Sequence, residues 1–180
     1  MVDVTLFDHN MEFVRDLTPN RKSQGKAIYQ VGLEGSLYII KIVSTRESYQ
    51  IDREELLKER DVLERARGIE NITNLLNFYD HVPEYVAILK EYAEGDELKG
   101  LNRPFDKNGI KKRLHHTITA FHDRGIAGLD PHKENIIISP DGKQGTFNDF
   151  NIAYFREECT ADFFESLKKR DYTSLRSAFK

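Results

Sequence analysis

Between Gly128 and Asn151 the chain reads GLDPHKENIIISPDGKQGTFNDFN, and no other stretch restricts the fold as strongly. Ile136, Ile137 and Ile138 form a short β-branched run, and Ser139-Pro140-Asp141-Gly142 is a turn signal. Gly145-Thr146-Phe147-Asn148 then returns as a second strand. A hairpin sets the start of its first strand beside the end of its second. Asn135 and Asp149 occupy those two points, and Asp130 lies a few residues upstream. Two carboxylates and an amide oxygen are therefore expected at one mouth. Such a set suits a hard, oxygen-preferring cation such as Mg²⁺, with one carboxylate left to act on a substrate proton. The alternative is an ordinary surface hairpin with polar ends.

A second constraint comes from Leu37 to Val43, an apolar strand interrupted by Lys41. Period-two alternation puts Lys41 on one face with Ile39 and Val43. If that face is inward, the ammonium needs an anionic partner, because an unpaired buried charge costs several kcal/mol. The alternative is an edge-strand lysine facing water. The next segment, Arg53 to Arg67, reads as a helix with Leu56, Leu63 and Ala66 on one stripe and Val62 at its margin. Glu59 falls in the middle of that stripe and is the economical partner for Lys41. Glu55, one turn earlier, is the runner-up.

The remaining chain is read more coarsely. Residues 1–14 carry no assignable element, and Leu17 to Gln30 is a polar, turn-rich segment leading into a strand. Val31 to Gly35 contains a turn. Residues 72–80 and Tyr85 to Tyr92 read as strands, and Ala93-Glu94-Gly95-Asp96 breaks the pattern. Asn108 to Arg124 is a helix with Ile110, Leu114, Ile118 and Phe121 at helical spacing, closed by Gly125. Its histidines, His115, His116 and His122, find no carboxylate at metal-ligand spacing and are expected on the helix surface or partly packed.

A chain of 180 residues allows one domain, or two small lobes sharing a cleft. The net charge of −3 argues against nucleic acid held by bulk electrostatics. The single cysteine, Cys159, excludes an internal disulfide and fits a reducing, cytoplasmic setting. Its acidic neighbours Glu157 and Glu158 disfavour a reactive thiolate. There is no long apolar run and no signal-like start, so neither a membrane span nor secretion is expected.

Asp130-Pro131-His132-Lys133-Glu134-Asn135, the hairpin, and then Asp149-Phe150-Asn151 resemble the catalytic loop and metal-binding motif of the protein-kinase-like superfamily. The resemblance implies an α+β, bilobal protein-kinase-like fold with a truncated C-lobe. Residues 1–90 would form the N-lobe, a sheet plus one helix. Residues 91–180 would form a mainly helical C-lobe with the catalytic loop and metal-binding hairpin. Asp130 would be the catalytic carboxylate, with Asn135 and Asp149 as the Mg²⁺ ligands. Lys41 and Glu59 resemble the strand lysine and helix glutamate whose ion pair sets the lysine on the nucleotide phosphates. The Glu91 carbonyl and the Ala93 N–H would bond the adenine edge of ATP. Of the phosphate-covering glycines, only Gly25 is kept, at the end of Asn20-Arg21-Lys22-Ser23-Gln24-Gly25; Lys22 or Ser23 could add donors. Lys90 departs from the pattern, standing at the back of the adenine pocket where the superfamily usually has a neutral residue. There it would restrict nucleotides or compete for Glu59.

Gly128-Leu129 replaces the His-Arg of many regulated protein kinases, which implies no docking group for an activation-loop phosphate. Asn151 replaces a glycine, and asparagine tolerates the turn. Lys133 would supply positive charge at the γ-phosphate. Asp171 to Leu175 resembles the start of a buried C-lobe helix. The nearest architectural kin are minimal kinases: the RIO kinases, the small kinase of the KEOPS complex, and the lipopolysaccharide-core kinases. The leading expectation is a serine/threonine protein kinase using ATP and Mg²⁺. His132, as in the D-x-H-x-x-N of aminoglycoside and choline kinases, favours a small-molecule acceptor instead. A nucleotide-binding pseudokinase or scaffold is the third reading. Apolar residues near Phe163-Phe164 or Phe179 are expected to offer a docking surface for a protein partner that completes the C-lobe.

Overall fold

A computed structural model describes residues 1–18 and 25–180, and it resolves into two compact units. The first comprises residues 1–60 and 74–92, the second residues 61–73 and 93–180.

The first unit is an antiparallel sheet of β1 (Glu12–Asp16), β2 (Lys26–Leu33), β3 (Ser36–Ser44), β4 (Leu75–Tyr79) and β5 (Tyr85–Glu91), in the order β1-β2-β3-β5-β4. Glu34 (φ 51°) and Gly35 (φ 78°) join β2 to β3 with Leu33 opposite Ser36. Two consecutive positive-φ residues are the type I′ turn that matches strand twist. The sheet order makes β3 internal, which removes the edge-strand alternative for Lys41.

Alternation on β3 and β5 gives the sheet two apolar faces. On one, Ile40, Ile42, Ala87 and Leu89 pack with Val31 and Tyr79. On the other, Val43, Val86 and Ile88 pack with Leu56 of α1 (Gln50–Arg65). The first face is closed by the amino-terminal residues, to which the sequence assigned no element. Val4, Phe7 and Met11 are buried against it, and the backbone N–H of Val2 donates to the Tyr29 hydroxyl at 3.1 Å. The segment is held by one 3-10 turn, Val4–Leu6, capped where Asp3 Oδ1 accepts from Thr5 N–H, and by a second local contact in which Asp8 Oδ1 accepts from Asn10 N–H. Such Asx turns leave no periodic signal.

The second unit contains β6 (Asp96–Glu97), α2 (Lys107–Asp123), β7 (Ile126–Ala127), β8 (Ile136–Ile138), β9 (Gly145–Phe147), β10 (Tyr154–Phe155) and α3 (Ala161–Ala178). The expected hairpin is present as β8–β9, with Ile136 opposite Phe147 and β6 on the outer side of β8. Residues 71–73 cover the edge of β9: Phe147 N–H donates to Asn71 O and Thr73 N–H to Phe147 O. The buried stripe of α2 is Ile110, Leu114, Thr117, Ile118, Phe121 and His122, and Asp106 caps its first turn through Gly109 N–H.

Three sequence expectations need correction here. The last helix begins at Ala161, not at Asp171, because the Thr160 side chain accepts from Phe163 N–H and caps it ten residues earlier. Phe164 and Phe179 are buried and do not form a docking surface; of the three phenylalanines named, only Phe163 is exposed. The carboxylate of Glu55, the runner-up for Lys41, instead faces Lys26 at 3.7 Å.

Candidate active site

Lys41 is delivered by the internal strand β3 onto the face that meets α1, and there it is 4% exposed. An ammonium in that position is retained only with an anionic partner. Its Nζ donates to Glu59 Oε2 at 2.6 Å, and Glu59 is 1% exposed. The structure thus brings together the lysine and the glutamate that the sequence paired. It adds a third member: Lys90 Nζ donates to Glu59 Oε1 at 2.8 Å. The two lysines do not exclude one another, since each takes a separate oxygen of the same carboxylate.

Gly25 lies at the turn entering β2, and its carbonyl accepts from Ser44 N–H. A Cβ built on Gly25 would meet Tyr49 Cγ at 2.2 Å, so the ring of Tyr49 leaves no room for a side chain there. Lys22 and Ser23 lie outside the described residues. Glu91 ends β5, where its N–H donates to Asn74 O and its carboxylate accepts from both nitrogens of Asn74. Ala93 follows two residues later and is half-buried, in the second unit.

In that unit the loop from Gly128 to Asn135 is built around the carbonyl of Asp130. Asp130 adopts φ 49°, a left-handed conformation uncommon for residues other than glycine. Its carbonyl accepts from His132 N–H (2.8 Å), His132 Nδ1 (2.8 Å) and Asn135 Nδ2 (3.2 Å). His132 Nδ1 also lies 3.1 Å from Asp130 Oδ2. Both atoms accept, so Nδ1 carries the proton. The far nitrogen of the ring, Nε2, is 3.5 Å from Glu134 Oε2. The Glu134 carboxyl is held below its ordinary value chiefly by its hydrogen bond from Lys99. Lys133 is exposed on the same loop.

Asn148 N–H donates to the Asn135 carbonyl at 3.1 Å, which joins the mouth of the hairpin and sets Asp149 one residue from that contact. Phe150 is buried with its ring 5.1 Å from Phe121, so Asp149 is followed at once by a core anchor. Asn135 spends its amide nitrogen on Asp130, so Oδ1 is the side-chain atom with which it could meet a cation. One amide oxygen and one carboxylate are a hard set that fits Mg²⁺, a cation that completes its shell with phosphate and water oxygens. Among the described residues, no group of three or more His, Cys, Asp or Glu is arranged to hold a metal ion.

The loop has an anchor that sequence reasoning did not assign. Asp171 is fully buried on α3; its Oδ2 accepts from Gly128 N–H and its Oδ1 from Leu129 N–H, both at 2.9 Å. His122, for which the sequence reading gives the helix surface or partial packing, is 3% exposed and contacts Asp171 Oδ2 through Nε2 at 2.9 Å. The carboxylate only accepts here, so Nε2 donates.

An α+β chain with a buried strand-lysine–helix-glutamate pair and an Asp-x4-Asn loop leading into an Asp-Phe hairpin defines a phosphotransferase of the kinase type. Residues 24–174 match the family model of the protein kinase domain, and the chain belongs to that family. Among the described residues, no helix is long and apolar enough to cross a membrane.

Proposed function

We propose that the chain is an ATP- and Mg²⁺-dependent serine/threonine protein kinase of minimal architecture, akin to the RIO, KEOPS-complex or lipopolysaccharide-core kinases, acting in the cytoplasm. Residues 1–90 serve as the nucleotide-binding lobe and 91–180 as the catalytic lobe. The observation that carries this reading is the buried contact of Lys41 with Glu59, 2.6 Å long. A buried ammonium held on a helix carboxylate is a costly arrangement, and it is explained by a phosphate that Lys41 must meet.

In this reading Lys41 binds the α- and β-phosphates of ATP, Glu59 orients it, and Gly25 lets the backbone approach the phosphates. The Glu91 carbonyl and Ala93 N–H take the adenine edge. Asn135 and Asp149 hold Mg²⁺, which when bound neutralises charge developing on the phosphates. The Asp130 carboxylate accepts the proton of the acceptor hydroxyl as its oxygen bonds to the γ-phosphorus. The bond from that phosphorus to the β–γ bridging oxygen breaks, and ADP leaves with the electron pair. His132, donating to Asp130, fixes the loop that carries this carboxylate, and Lys133 offers positive charge to the γ-phosphate.

The test is transfer from labelled ATP, with Mg²⁺, to a generic protein substrate or to the chain itself. Wild type labels protein, Asp149→Ala loses both transfer and Mg²⁺-dependent ATP binding, and Asp130→Ala loses turnover while keeping binding. Equal transfer by all three proteins would sink the proposal. A second reading, a small-molecule acceptor, is favoured by His132 in the Asp130-x-His132-x-x-Asn135 pattern. It predicts ATP consumption that rises with an added alcohol or amine metabolite and no label on protein.

A further inference from the structure

Lys90 is the member of the buried cluster that the reaction does not use. It is 0% exposed near the end of β5, and its ammonium reaches the same Glu59 carboxylate as Lys41. The strand register explains how two cations converge on one anion. Lys41 is opposite Ile88 and Lys90 is opposite Ile39, so the two lysines are diagonal neighbours on one face of adjacent antiparallel strands. Diagonal partners on such a face are separated by about 7–8 Å at their α-carbons, within reach of long side chains. Glu59 of α1 is presented to that face and spans them, with Oε2 at 2.6 Å from Lys41 and Oε1 at 2.8 Å from Lys90.

Geometry makes the second lysine more than a filler. A carboxylate gripped through one oxygen keeps the freedom of its terminal torsion, which is broad for glutamate. Gripped through both oxygens by donors on different strands, it loses that rotation, and the direction in which Oε2 meets Lys41 is fixed. The Glu59 turn of α1 is also tied to β3 and β5 together, so withdrawing Glu59 would break two buried charge-assisted hydrogen bonds rather than one.

We infer that Lys90 is a positioning residue of the phosphotransfer site: by holding one oxygen of Glu59 it fixes the other, and thereby the presentation of Lys41 to the nucleotide phosphates. The lysine–glutamate contact is then braced from within the first unit, by a donor on each of two neighbouring strands. The inference rests on the proposed phosphotransferase reading.

Two measurements on the full chain test it. The first needs no activity: urea midpoints of wild type, Glu59→Gln, Lys90→Met and the double variant. Coupling through Glu59 requires that Lys90→Met lower the midpoint less in the Glu59→Gln background than in wild type; additive shifts would overturn the inference. The second is kinetics at temperatures where each protein is fully folded by circular dichroism. Lys90→Met loses about tenfold in kcat, the scale of a mispositioned catalytic group, with the KM for ATP changed by less, and Lys90→Arg recovers most of the loss. Lys90→Leu repeats the measurement should the methionine variant fold poorly. A folded Lys90→Met or Lys90→Leu protein with wild-type kcat and KM shows a purely structural bridge and overturns the inference alone. Absence of any transfer by wild type, with the coupling intact, overturns the phosphotransferase reading and with it the positioning role.

Discussion

His122 on α2 and Asp171 on α3 meet through a 2.9 Å contact between Nε2 and Oδ2, both side chains buried. The same carboxylate takes the N–H groups of Gly128 and Leu129. One side chain therefore ties two helices to the two residues immediately before Asp130, so the Asp130 loop is anchored from α3 as well as by its own contacts from His132 and Asn135.

Removing Asp171 leaves two buried backbone donors and one imidazole without their acceptor. Asp171→Ala is expected to cost about 3–5 kcal/mol in urea unfolding, the range for breaking a buried charged contact from one side. Hydrogen exchange locates the effect: the amides of Gly128 and Leu129 exchange faster than in wild type while those of β3 keep their protection. Slow exchange at both amides in the variant would show that another group holds the loop.

Asn135 joins two features of the site by its two side-chain atoms. Nδ2 donates to the Asp130 carbonyl, and Oδ1 is the proposed metal donor. Asn135→Ala is expected to raise the Mg²⁺ concentration for half-maximal transfer about tenfold or more, the loss typical when a metal site is disturbed. The KM for ATP measured at saturating Mg²⁺ changes less. An unchanged Mg²⁺ titration would remove Asn135 from the ligand set.

The parts of this arrangement that were legible in the sequence are those where a charge interrupts a periodic apolar pattern. Glu59 sits between Leu56 and Leu63 on a helical stripe and Lys41 between apolar strand neighbours, so burial and pairing follow from spacing. Asp171 offered the same signal, lying on the buried stripe of Phe164, Leu167, Leu175 and Ala178. It goes unread when the helix is started at Asp171, because the upstream half of the stripe is then outside the helix. The resemblance already puts Lys90 within reach of Glu59 as a competitor; that it shares the carboxylate with Lys41 from a diagonal position needs the pairing of β3 to β5, which skips α1 and β4 in the chain. The seating of Tyr49 over Gly25 comes from a separate 3-10 turn, Glu47–Tyr49, and leaves no periodic trace.

The loop also carries a surface contact that titrates. Lys99 Nζ is 2.7 Å from Glu134 Oε1, and this hydrogen bond is the largest cause of the lowered Glu134 pKa. A carboxyl depressed in the folded state contributes stability that is complete above its unfolded value and is lost as pH falls through the lower folded value. Lys99→Met is therefore expected to move the Glu134 titration upward, toward its ordinary value, in a carboxyl-carbon NMR titration. Because both groups are exposed, the unfolding midpoint at neutral pH stays close to that of wild type. A Glu134 titration that does not move would mean that Lys99 is not the source of the depression.

The amino-terminal segment gives a last prediction, on the link from packing to stability. Phe7 is 5% exposed, its ring 5.7 Å from that of Tyr79, and it shares a cluster with Ile40, Ile42, Ala87 and Leu89. These residues lie on the face of β3 and β5 opposite the Lys41–Glu59–Lys90 cluster. Truncating a buried phenylalanine removes its transfer energy and leaves a cavity, so Phe7→Ala is expected to cost about 3–5 kcal/mol. The internal comparison is Leu6→Ala at the neighbouring position, where the side chain is 51% exposed and a change within about 0.5 kcal/mol is expected. Equal midpoints for the two variants in urea would show that residues 1–11 cover the sheet without stabilising it. A loss confined to Phe7→Ala, with the amides of β3 and β5 losing protection together, would show that this aperiodic segment belongs to the same cooperative unit as the strands that carry Lys41 and Lys90.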